Sequence, residues 1–207
     1  MRPAFPIALL LLTGCSALPQ PGVVSAPTGD WRSVASTSDR ARLSGWRSAF
    51  TGALQAARAA GHGAEIDREG ALLLPDAAVP RPQMPDGLYR CRVIKLGAKS
   101  TGLLDYVSYP FFNCRIGRQG RMQSLVKLSG SQRPAGLIFP ADPLRQVFLG
   151  TLVLGDEPRA MQYGQDEQRN VAGFIHRIGS ARWRLVMPRP HFESQFDVME
   201  LVPAPQE

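Results

Sequence analysis

Apolar and polar positions change rhythm along this 207-residue chain. Between Ser36 and Gly61 the apolar residues Leu43, Trp46, Phe50, Leu54 and Ala57 recur at steps of three and four, one stripe of a 3.6-residue period that predicts a single amphipathic helix. Ser36, with Asp39 three residues on, supplies the N-cap in a variant of the capping box, and Gly61 supplies the stop. A short helical turn follows over 64–69, and recurrent prolines over 74–85 predict an irregular wrap. After Gly87 the rhythm shortens to two, which predicts strands over 88–96, 110–116, 122–128, 136–139, 145–154, 171–178, 182–187 and 196–202. The fold class is therefore mainly β with an N-terminal helix (α+β). About eight short strands in an antiparallel up-and-down meander form a closed or nearly closed barrel, with the helix packed on it.

Two stretches allow expectations at residue level. In VAGFIHRIGSARWRLVM, Gly179-Ser180 suits a two-residue hairpin turn. That register pairs Ile178 with Ala181, His176 with Trp183, Phe174 with Leu185 and Ala172 with Met187, leaving Arg177, Arg182 and Arg184 on the opposite face. His176 then reads as a partly buried histidine bonded to backbone. The 145–154 segment is apolar on both faces and needs cover on both, so the Trp46 helix is expected on its outer side.

The first residues have a different character. One Arg precedes an apolar stretch, Ala4 to Leu12, which is too short to span a bilayer but fits a secretion signal. Leu12-Thr13-Gly14-Cys15 follows, and it resembles the lipobox of bacterial lipoproteins. That resemblance implies cleavage before Cys15, lipid on its thiol and amine, and anchoring by several acyl chains. Ser16 in place of Asp implies the outer membrane, at its periplasmic face. Residues 16–29 are rich in Pro, Gly, Ser and Ala, carry no charge and read as a flexible tether. The organisation is thus signal 1–14, tether 15–29, and one globular unit over 30–203, made of a helical segment with its wrap (30–86) and the barrel (87–203).

The formal charge is +7, carried almost wholly by arginine, since Lys95, Lys99 and Lys127 are the only lysines. Such a charge attracts anionic lipid or an acidic partner, and it equally describes a solvated arginine-rich surface. An address outside the cytoplasm argues against nucleic acid as a partner. The same address lets disulfides persist. With Cys15 given to lipid, Cys91 and Cys114 are the remaining thiols. Period-two sorting places Tyr89, Cys91 and Val93 on one face, and Phe112, Cys114 and Ile116 on one face of a neighbouring strand, so a cross-strand bridge on the core side is predicted. Neither a C-x-x-C redox pair nor the further ligands of a zinc site accompany them.

No strong catalytic motif emerges. Ser124-Leu125-Val126-Lys127 matches S-x-x-K, but that motif works on a helix, and on a strand its serine and lysine face opposite ways. The three histidines, His62, His176 and His191, are not drawn together by the predicted elements, so no metal site and no cofactor is expected. The loop LGAKSTGLLDY offers Lys99, Asp105 and Tyr106 as ligand-binding candidates at a barrel mouth. PRPHFESQFD offers His191 with Glu193 and Asp197 as an acid–base cluster, set against an ordinary polar loop.

The stretches DWRSVASTSDRARLSGWR, YRCRVIKLGAKSTGLLDY, GSQRPAGLIFP, FLGTLVLGDE and RWRLVMPRPHFES resemble an uncharacterised bacterial family, the domain of unknown function numbered 4893. The resemblance implies a small exported protein and carries no functional residues. A barrel lipoprotein also resembles the inhibitors of c-type lysozymes, but Arg133 stands where their S-G-x-x-Y loop has tyrosine after Ser129-Gly130. The leading expectation is a non-catalytic envelope lipoprotein that binds a small ligand or an envelope partner and is held to the membrane by its lipid. The alternatives are an envelope hydrolase or transferase with a loop-borne site, and a lysozyme- or protease-inhibitor-like barrel.

Overall fold

A computed structural model describes residues 23–26 and 28–205; the expected signal, Cys15 and most of the tether lie outside the described residues. Four helices come first: α1 (Trp31–Val34), α2 (Thr37–Ser44), α3 (Trp46–Ala59) and α4 (Gly63–Glu69), with a 3₁₀ turn at Gly70–Leu72. The strands are β1 (Gly87–Ala98), β2 (Tyr106–Ser108), β3 (Phe112–Gln119), β4 (Met122–Lys127), β5 (Gln132–Asp142), β6 (Arg145–Leu154), β7 (Asn170–Gly179), β8 (Arg182–Pro188) and β9 (Ser194–Pro203). Every long strand pairs antiparallel with the next, and β9 returns to β1 along nearly its whole length, from Tyr89↔Pro203 to Ala98↔Ser194, which closes the barrel. The eight predicted strands are all present. The short β2 lies beside the far half of β1, where β3 no longer reaches.

The barrel wall separates two apolar clusters. Inside, every long strand contributes: Tyr89, Cys91, Cys114, Leu125, Ile138, Phe148, Ile175, Leu185 and Leu201 pack together, and Met84 of the wrap joins them. Cys91 and Cys114 form a disulfide there with Cα atoms 5.9 Å apart, on the core side as predicted. Outside, Ile94, Leu137, Val147, Phe174 and Val198 meet Leu43, Phe50, Leu54 and Ala57 of the helices. Phe50 stacks on Phe196 at 4.5 Å, and burying such a side chain contributes roughly 1.5–3 kcal/mol. Gly136 and Gly150 pair across β5 and β6, and a Cβ on either would meet the neighbouring backbone at 2.2 or 2.3 Å. The two strands therefore approach closely at a point that only glycine permits.

Several expectations need correction. The helix from Ser36 is two helices: the Ser36 side chain caps α2 by accepting from the Asp39 N–H, but the chain turns at Gly45 (ψ 11°) before α3 begins. Glycine, the weakest helix former after proline, gives way there. The break lets α2 lie along β7 while α3 crosses β1, β8 and β9. Hence β6 is covered on both sides, but α3 is not centred on it; Val147 and Leu149 enter the same outer cluster as the helices.

The β7–β8 hairpin is displaced by one residue. Ser180-Ala181 forms the turn, a bulge falls between Arg177 and Gly179, and His176 faces Arg184 where Trp183 was expected. Alternation fixes register only when one face is wet. Here both faces are buried: Phe174 and His176 lie beneath the helices, while Trp183, Leu185 and Met187 fill the barrel. His176 is fully buried and bonded to a side chain, not to backbone, because Arg184 Nε reaches its Nδ1 at 3.2 Å.

Arg184, assigned by alternation to a polar face, is completely buried. Its guanidinium donates to the carbonyls of Ala71 (3.2 Å), Leu72 (2.9 Å), Leu74 (2.7 Å) and Pro75 (2.7 Å). The start of the Pro-rich wrap has no ladder to satisfy these acceptors, so one planar five-donor group does it. Burial pulls the Arg184 pKa down only to about 10, so it stays charged at neutral pH.

Candidate functional site: the barrel mouth

At one end the inner wall is incomplete. Among the described residues β4 pairs with β5 only from Gln123 to Val126 and β2 pairs only with β1, so near the mouth no ladder joins β2 to the start of β5. A cavity of about 130 Å³ opens there into the barrel interior. Its apolar wall is Val93, Phe112, Pro134, Leu152, Met187 and Met199; its polar rim is Lys95, Lys127, Gln132, Glu193 and Asp197. The inward parity of each strand explains the set. Lys95 continues the inward series Tyr89, Cys91 and Val93, Lys127 follows inward Leu125, and Asp197 precedes inward Met199.

The two lysines are held differently. Lys95 Nζ lies 3.2 Å from a carboxylate oxygen of Asp197 and 3.2 Å from one of Glu193, with Gln132 Oε1 at 3.3 Å. Burial opposes its charge, but the two carboxylates win and raise its pKa, so this ammonium stays protonated. Asp197 also accepts from the Ser194 hydroxyl, and Glu193 accepts from Gln132 Nε2 at 3.3 Å. Glu193 adopts a left-handed backbone, φ 65°, a strain of order 1 kcal/mol for a non-glycine residue. That turn sets its carboxylate on Lys95.

Lys127, also buried, has no such partner. Its Nζ donates to the carbonyls of Ser129 (2.7 Å) and Gln132 (3.1 Å) and stands 3.8 Å from the centroid of the Phe112 ring. Among the described residues no carboxylate lies within 4.0 Å of it. Gly130, at φ 94°, makes the space, since a Cβ there would sit 2.6 Å from Nζ. Burial first, then repulsion from Arg133 and Lys95, lowers the Lys127 pKa to about 8. At neutral pH the mouth thus presents a closed Lys95–Asp197–Glu193 cluster beside one cation that has only neutral acceptors.

A model of one family covers residues 31–201 and is described as a domain of unknown function, DUF4893. The chain belongs to this family. Neither a curated protein nor a solved structure matches it. No residue role therefore comes from a relative, and the site in this DUF4893 chain stands on its own geometry.

Of the loop candidates, Glu193 and Asp197 come together at the mouth on Lys95, while His191 of the same stretch is exposed and takes no part in that cluster. Lys99, Asp105 and Tyr106 do not converge. Lys99 Nζ donates to the Pro190 carbonyl, and an Asp105 oxygen accepts from the Ala98 N–H at 2.9 Å, closing its own loop. Tyr106 faces the helices, stacked on His62 at 5.5 Å and 3.3 Å from Glu69, and burial first raises its pKa to about 12. Ser124 and Lys127 lie on opposite faces of β4. Sequence reasoning missed Lys95 and Lys127; the available signal was a lysine at inward parity at the end of an apolar run.

Proposed function

We propose that this chain is a non-catalytic binding protein of the cell envelope, tethered by lipid on Cys15, whose barrel mouth takes a small ligand with an anionic head and an apolar body. One observation carries the reading: buried Lys127 faces a cavity with an apolar wall and has no carboxylate partner among the described residues. An anionic head would supply the missing counter-ion, in a setting where charge-assisted hydrogen bonds are stronger than neutral ones. A cavity of about 130 Å³ suits a body near the size of benzene, which a comparable apolar void accommodates. The lipobox-like Leu12-Thr13-Gly14-Cys15 supports the address.

The test is calorimetry on the full mature chain carrying Cys15→Ser, with hexanoate and hexanol as probes. Hexanoate should bind wild type more tightly than hexanol, lose that advantage in Lys127→Met, and weaken as pH rises through about 8, where Lys127 gives up its proton. Equal binding of the two probes, or no change in Lys127→Met, would overturn the reading. Loss of the chain from a high-salt-washed membrane fraction on Cys15→Ser tests the anchor separately.

A further inference from the structure

The helices lie against β1, β5, β7, β8 and β9. On the other side, the outer face running from the start of β1 across β3 to β4 carries a patch of exposed apolar and cationic side chains. Leu88 is 52% exposed and Leu128 44%, and between them the register sets Leu88 beside Arg115 and Arg90 beside Asn113. Phe111, 39% exposed, lies under the Arg90 guanidinium at 4.5 Å and within 5.5 Å of Arg92. Leu88, Arg90, Arg115 and Leu128 line one shallow groove.

The pairing of charge with exposed apolar surface marks this patch. Arg92 is saturated by Glu69 and Glu200, and Asp86 at the groove's edge is taken by Arg118 and Gln123. Arg90 and Arg115 have no carboxylate within 4.0 Å among the described residues. A face with exposed leucines, an aromatic ring and two uncompensated arginines is complementary to a surface that is apolar beneath and anionic above. Aromatic rings and arginine stems favour that boundary layer, where the stem is buried and the charge meets a phosphate.

We propose that this β1–β3–β4 face docks on an anionic phospholipid surface. This goes beyond the ligand site at the mouth and does not depend on it. The experiment uses the full mature chain with Cys15→Ser, so that no lipid holds it, and co-sedimentation with phosphatidylcholine vesicles with and without phosphatidylglycerol. Binding should require phosphatidylglycerol and weaken at high salt. Each uncompensated arginine near such a surface contributes about fivefold, so R90Q/R115Q should weaken binding about thirtyfold. Phe111→Ser and Leu128→Ser should weaken it without a change in charge. R68Q/R159Q removes the same charge from exposed positions elsewhere and should leave binding largely intact. Circular dichroism on each variant separates lost docking from lost folding. No binding to phosphatidylglycerol vesicles, an equal loss in R68Q/R159Q, or full binding by folded R90Q/R115Q would overturn the proposal.

Discussion

Buried His176 should make this protein acid-sensitive in a way that one substitution removes. Arginine can only donate, so the 3.2 Å contact from Arg184 Nε requires His176 Nδ1 to be an acceptor and the ring to be neutral. Protonation would set an N–H against an N–H in a site sealed by Trp46, whose ring centroid is 5.2 Å away. Burial first, then Arg184 and Arg145, lowers the His176 pKa from 6.5 to about 3. The folded state thus holds fewer protons than the unfolded state between these values, and stability must fall as pH falls through that window. The full contribution is present above about 6.5 and is lost towards about 3. At about 1.36 kcal/mol per pH unit, going from neutral to about pH 4.5 removes about 2.7 kcal/mol. His176→Gln keeps an acceptor for Arg184 but cannot titrate. Urea unfolding of both proteins at the two pH values isolates the effect, because the carboxylates they share cancel in the difference. Wild type should lose about 2–3 kcal/mol more than the variant on acidification. Parallel losses would refute the claim that burial, with Arg184 beside it, holds His176 neutral.

Two further outcomes follow from the same physics. Arg184→Met strands four carbonyls of the wrap, one buried and three part-buried, and should destabilise by about 3 kcal/mol in chemical denaturation, with faster amide exchange around 71–75; Arg184→Lys should not rescue it, because one ammonium cannot reach five acceptors. Reducing the Cys91–Cys114 disulfide, which spans a sequence separation of 23, should cost about 3 kcal/mol in the chain-entropy treatment, read as a lower melting temperature with reductant; an unchanged melting temperature would mean that the inner cluster alone sets the stability.

The sequence made the architecture legible because both periodicities were clean where one face was wet. The eight strands, the Ser36 cap and the core-side cysteines could be read from alternation and turn chemistry. Alternation stopped being informative where both faces are dry. His176, Phe174, Trp183 and Leu185 are all buried, so no polar face remains to reject a one-residue slip, and the bulge before Gly179 sets the register instead. The α2–α3 break escaped notice for a similar reason: Leu43 and Phe50 keep the stripe going across Gly45 because both still reach the outer cluster. The mouth was hidden by a different assumption, that function sits on loops. Lys95 and Lys127 sit near strand ends, and the β1–β3–β4 pairing, with closure of β9 on β1, brings them and Asp197 to one opening.

Arg184 and Lys127 are two instances of one device, and comparing them says why only the second is read as a site. Each is a buried cation satisfied chiefly by backbone carbonyls, and neither has a carboxylate within 4.0 Å among the described residues. Carbonyl dipoles hold a cation without cancelling its charge, so both positions keep a net positive field in a low-dielectric setting. At Arg184 that field is spent on the wrap: its donors are taken by four carbonyls and a histidine, and the group is fully sealed. At Lys127 only two carbonyls and an aromatic face are engaged, and the ammonium borders an open cavity. A counter-ion can therefore reach Lys127 and cannot reach Arg184. Access, not burial or charge, separates a structural cation from one available to a ligand.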